Sequence, residues 1–234
     1  MIKQQPIYPS DNEWDIPTLL PDLQGVPITP PICCWGSVAR TAHMPGTWVL
    51  YARDDRFSVA LRNPEQLHAT GCACAVEANV SIYDGTPMAV AIHAIYQKRW
   101  ASRAWQELGI RILVDLNVPE RYLRWNLTGV PRGWRAYATR GYRDRPESLR
   151  REWSVMREWS EGLGTLLVYG GGRATHEVCR ELPGAIWSPD HMAEYRAKRY
   201  GCAPTGRVSA LHCNSTVSGD IRRNDESDVA GGDP

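Results

Sequence analysis

The chain has no apolar run of roughly eighteen residues, the least that a membrane-crossing helix requires, and Met1–Asp15 holds no apolar core of the kind that directs secretion. From both absences a soluble, cytoplasmic protein is expected. Lysine is nearly missing: Lys3, Lys98 and Lys198 stand alone among 27 basic residues. Phenylalanine occurs once against ten Trp and ten Tyr, a skew read as coding bias. The seven Cys form no small-domain framework, which fits reduced thiols. Cys33-Cys34 and Cys72-x-Cys74 lack the two-residue spacing of a zinc knuckle, so no metal ligand is assigned. No GxSxG elbow, HExxH, Walker loop or dinucleotide fingerprint occurs. The six His, His176 and His191 included, show no triad or metal spacing.

What is present is an ordinary globular balance, 43% hydrophobic and 23% charged, which excludes wholesale disorder. Residues 1–46 form a Pro-rich entry segment packed on the domain. Its prolines forbid a long helix and leave only Pro31–Trp35 as an edge strand. A single α/β domain is expected over 47–200, and a polar, largely disordered tail over 201–234.

Within 47–200 strands and helices alternate. Thr47–Ala52, a bent Cys72–Ile82, Ile110–Leu116, Arg135–Thr139, Thr165–Tyr169 and Ala185–Trp187 read as strands. Helices are expected over Pro87–Leu108, Pro146–Gly162 and Ala174–Leu182. Repeated βα units imply a mainly parallel sheet with right-handed crossovers. The pattern favours a TIM-barrel-like closure over an open doubly wound sheet, although fewer than eight strands are visible.

Ligands of parallel α/β folds bind beyond the carboxyl ends of the strands. Asp54, Asp55, Asn79 and Asp115 are therefore the candidate catalytic residues. A carboxylate such as Asp115, set among apolar neighbours, must be turned to the interior or paired. The turn Gly170-Gly171-Gly172-Arg173 could present backbone donors to a phosphate. Arg99 continues the apolar stripe Met88, Ile92, Ile95 and so must snorkel out, or meet a carboxylate (Asp115 or Glu77) or a phosphate.

Residues 121–157 are strongly basic: ten arginines face only Asp144, Glu147 and Glu152. Such a block either meets phosphate or forms a solvated face. Arg132, Arg135, Arg140 and Arg143, interleaved with aromatics, would then contact nucleic acid.

Several blocks resemble an uncharacterised family of phage, prophage and mobile-element proteins, domain-of-unknown-function family 4417, over about residues 14–192. They are Trp14-Asp15-Ile16-Pro17; Tyr51 with Asp54-Asp55-Arg56-Phe57 and Asn63-Pro64-Glu65; Ser81-Ile82-Tyr83 with Pro87; Arg99-Trp100 with Gln106 and Gly109-Ile110; Gly141; and Val168-Tyr169-Gly170. Where that family carries Ser-Pro-Asp, this chain reads Glu77-Ala78-Asn79. If the family's Asp is catalytic, this chain has lost it or uses Glu77 instead.

Two functions remain open. One is a binder of a phosphorylated small molecule or nucleotide at the strand ends, acting as a hydrolase or transferase with a divalent metal as its conceivable cofactor. The other is a non-enzymatic accessory protein touching nucleic acid or a host protein through 121–157. Neither involves a membrane, and neither specifies an oligomeric state.

Overall fold

Short runs rich in β-branched, Leu and Cys residues build seven parallel strands: β1 (Ile32–Cys34), β2 (Thr47–Val49), β3 (Cys74–Val76), β4 (Arg111–Asp115), β5 (Ala136–Gly141), β6 (Thr165–Gly170) and β7 (Ala185–Ser188). They pair in strict chain order in the computed structural model, every neighbour parallel. The structure describes residues 7–36 and 43–190, all within one compact unit. The expected tail at 201–234 and His191 lie outside the described residues.

Helices α1 (Asp54–Arg62) and α2 (Glu65–His68) join β2 to β3, and α3 (Met88–Glu107) joins β3 to β4. Two 3-10 turns, at Glu120–Tyr122 and Trp125–Leu127, carry the chain from β4 to β5. Then come α4 (Pro146–Trp159) after β5 and α5 (Gly172–Glu181) after β6. Strands β2 and β3 are buried at every position, as are β4 and β6 past their first residue, the signature of a parallel sheet covered on both faces.

The sheet is curled. In a flat sheet β2 and β6 would lie about 19 Å apart, four steps of about 4.8 Å. Instead the rings of Tyr51 and Tyr169, from the ends of these strands, stack with centroids 6.1 Å apart. Arg140 Nη1 of β5 likewise donates to Tyr51 O at 2.8 Å. The sheet is nonetheless open: β1 and β7 are its two edges and do not pair. The α/β class, the βα repeats and the parallel pairing agree with the sequence pattern. A closed TIM-type barrel is not formed, because the chain supplies seven strands and no eighth joins the edges among the described residues.

One local expectation is corrected. Asp54 and Asp55 do not sit on a loop past a strand; they open α1, where acidic side chains complement the helix dipole. Within Cys72–Ile82 the strand is Cys74–Val76, with the break near Glu77 that the sequence suggests. The reason is Glu77. The β3–β4 ladder ends at Val76↔Leu113, and from there the Glu77 Oε2 accepts the Asp115 amide (3.1 Å) in place of a strand carbonyl. The strands part at this point.

The Pro-rich entry segment is held rather than loose. Ile16 and Leu19 are buried, and the Gln106 side chain of α3 bonds Leu20 N at 2.8 Å, Leu20 O at 3.0 Å and Leu23 O at 3.1 Å. A side chain serving three backbone groups substitutes for the ladder that proline denies this segment.

Candidate functional site

Loops leaving the carboxyl ends of β3, β4 and β5 surround a cavity of about 840 Å³, within the range of small-molecule sites. Asn79 and Ser81 contribute from the β3–α3 loop, Asn117 follows β4, and Tyr142 follows β5. Arg145, Ser148, Arg151 and Glu152 come from the start of α4. The Asn117 Nδ2 donates to Asn79 Oδ1 (3.0 Å) and reaches the Tyr142 hydroxyl (3.3 Å), so three loops are tied by one amide.

Glu152 is the unusual member. It is buried, accepts the Thr139 hydroxyl at 2.6 Å, and takes part in no ion pair among the described residues. Burial pushes its carboxyl up to about 8, against the lowering pull of the Thr139 hydrogen bond. A carboxyl so placed is protonated at neutral pH and can donate as well as accept. The first turn of α4 beside it has no side-chain cap, leaving backbone donors unused.

Behind the cavity lies a buried charged lattice. Asp115 and Arg140 fall on the concave face, since Asp115 pairs with Ala138 and Arg140 with Tyr169 and ladder partners share a face. The Asp115 carboxylate accepts from Tyr51 Oη (3.0 Å), Asn117 N (3.1 Å) and Lys98 Nζ (3.4 Å). Burial raises its pKa above the usual carboxylate range even against Lys98. Arg99 pairs with Glu77 and donates to Asn126 O at 2.6 Å and Thr128 O at 3.2 Å. Lys98 and Arg99 thus enter from α3 where β3 and β4 part.

The expected site residues divide accordingly. Asn79 lines the cavity. Asp115 stands one layer back and orients Asn117 through its amide. Asp54 bonds Ser81 N and Oγ at 3.2 and 3.0 Å, bracing the cavity loop from α1. Asp55 is exposed and pairs with Arg53. Arg99 and Glu77 meet each other, and neither lines the cavity. Among the described residues no three His, Cys, Asp or Glu side chains converge as metal ligands.

Gly170, Gly171 and Gly172 all have positive φ and start α5, but they are absent from the cavity wall. Arg173 is 91% exposed and pairs with Glu177. The four arginines expected on nucleic acid are split. Arg132 lies over the Trp159 ring, 3.8 Å from its centroid, and Arg135 precedes β5. Arg140 and Arg143 lie at the other end of that strand, about 16 Å on for its six residues. Arg140 is spent on Tyr51 O.

Glu152 and Thr139 were not singled out from sequence, yet a signal exists. Leu149, Glu152 and Met156 are the buried residues of α4 and fall at i, i+3 and i+7, an apolar stripe interrupted by a charge. Trp153, which also follows Leu149 at helical spacing (i+4), is only half-buried.

Residues 8–149 match the family model of a domain of unknown function, DUF4417. The chain belongs to the DUF4417 family. No curated protein and no solved structure matches it. The DUF4417 match takes in Asn79, Ser81, Asn117, Tyr142 and Ser148 and stops at Leu149, one helical turn short of Glu152.

Proposed function

We propose that this DUF4417 protein binds a phosphate-bearing small molecule, a nucleotide being the class that fits, in the cavity at the ends of β3–β5, and that Glu152 exchanges a proton with it. The supporting observation is the start of α4: an uncapped helix N-terminus opening beside a buried carboxyl that makes no ion pair among the described residues. Unused amides of a first turn favour an anion, and Ser148 and Arg145 extend the donor set. A protonated Glu152 adds a donor where an ionised one would repel the ligand. The amides of Asn79 and Asn117, with the Tyr142 hydroxyl, suit the uncharged polar groups of a base or sugar. Asp115 acts as a positioning residue: fixed by Tyr51 and Lys98, it holds Asn117 in register.

Acid–base chemistry at a phosphorylated substrate, hydrolysis or transfer, is the reaction class that this constellation serves. The proton step is assigned to Glu152, the buried carboxyl of the cavity wall. Thermal-shift titration with nucleoside monophosphates and inorganic phosphate tests the reading. Stabilisation should be present at pH about 7, fall as Glu152 ionises above about 8, and be lost in Asn117→Ala. Equal stabilisation on both sides of that pH would remove Glu152 from the site.

A further inference from the structure

Next to the cavity runs a groove of about 540 Å³, lined by Arg121, Arg124, Arg150, Arg151, Trp125 and Glu120 among others. The two share Glu120, Leu123 and Arg151, so a chain leaving the cavity over Arg151 passes directly into the groove. Four arginines line the groove, three of them in ion pairs with Glu120, Glu147, Glu158 and Glu181. Their ion pairs lie at the surface: Arg124 with Glu158 at 3.4 Å, Arg150 with Glu181 at 2.8 Å and Arg151 with Glu120 at 3.2 Å, all with partly or largely exposed side chains. Exposed pairs of this kind contribute little, and phosphate oxygens can displace the carboxylates.

Trp125 supplies the other half of the chemistry. It is 36% exposed, and Trp14 packs edge-on against it with centroids 5.0 Å apart. Its ring is therefore preset, with little side-chain entropy left to lose. An arginine-lined groove with a fixed aromatic platform is what single-stranded nucleic acid needs: cations for the backbone and a π face for a base.

We propose that the ligand of this site is the end of a single-stranded nucleic acid, with the terminal nucleotide in the cavity and the following phosphates along Arg121, Arg124 and Arg150, a base resting on Trp125. This deepens the nucleotide reading and rests on it. It also differs from the surface that the sequence pattern suggested, since Arg132, Arg135, Arg140 and Arg143 take no part.

The test is calorimetric titration of the full chain with three unlabelled probes: thymidine monophosphate, a linear oligothymidylate of about eight nucleotides, and the same strand circularised. The linear strand should bind at least about tenfold tighter than the mononucleotide at about 50 mM salt, with a salt slope near −2 for three phosphate contacts at about −0.7 each. The circle, having no end to insert, should bind more weakly than the linear strand. The double change Arg124→Gln with Arg150→Gln should remove the advantage of the linear strand and leave mononucleotide affinity unchanged; Trp125→Ala should weaken the linear strand alone. Mononucleotide binding without any gain for the linear strand would overturn the groove assignment while the cavity reading stands. Equal binding of circle and linear strand would overturn insertion of an end. Binding of neither mononucleotide nor strand would overturn both.

Discussion

Single residues carry the sharpest consequences. Glu152, held protonated to about 8 by burial, grips its proton more tightly in the folded chain than in the unfolded one. Stability from that proton is fully present below the ordinary Glu value and is lost as pH rises through the folded value. The melting temperature should therefore fall between about pH 5 and pH 8, and Glu152→Gln should flatten that decline; a variant whose melting curve keeps the same slope would place the titration elsewhere. Arg99, paired with Glu77 at full burial, gives the opposite kind of test. Arg99→Met leaves a buried carboxylate alone and should cost about 3–5 kcal/mol in denaturant titration. Adding Glu77→Gln, which keeps the acceptor for the Asp115 amide, should recover more than half of that loss. That Arg99 stands on an apolar stripe, where a buried carboxylate is one of its few outlets, was legible in its spacing on α3. Which carboxylate answers it was not, because Glu77 and Asp115 are brought together only by the parting of β3 from β4.

At the scale of elements, the glycine turn before α5 is a packing device. Gly171 lies at φ 76°, and a Cβ there would meet the Thr175 hydroxyl and come within 2.8 Å of the Gly141 backbone carbon. Gly172, at φ 70°, has open space where its Cβ would be. Gly172→Ala should then cost only the left-handed backbone penalty of about 1–2 kcal/mol, and Gly171→Ala clearly more; equal losses in chemical denaturation would show that the turn relaxes freely. The sequence pattern allows this turn to be a phosphate cradle or a tight turn needing positive φ. Its close approach to β5, visible only in the sheet, gives Gly171 a packing role. Helix α4 shows the converse. The stripe Leu149, Glu152, Met156 announces a buried acid to anyone who follows the burial period, but a bulky Trp153 one position on competes for the same face, and spacing alone does not rank the two.

For the whole molecule, curvature is what matters. Arg140 joins β5 to the end of β2 across the concave face, and Tyr51 stacks on Tyr169 beside it. Arg140→Ala should cost about 1–3 kcal/mol and speed amide exchange in β1 and β2, while β5 and β6, with six ladder pairs between them, stay protected. Uniformly faster exchange would mean that the sheet edge is not held by this contact. The alternation of strands with helices and the parallel direction of the strands were legible in the chain, because apolar runs, helix starts at Pro87 and Pro146 and glycine stops are local chemistry. The same locality marked the carboxyl-end edge of the sheet, where the cavity lies, since parallel strands put all their carboxyl ends together. The degree of curl, the parting of β3 from β4, the seating of Lys98 and Arg99 in that gap, and the meeting of Asn79, Asn117, Tyr142 and Glu152 around one cavity were decided by the tertiary structure. Each depends on side chains distant in sequence competing for the same buried volume, and a linear pattern records the competitors without the space they must share.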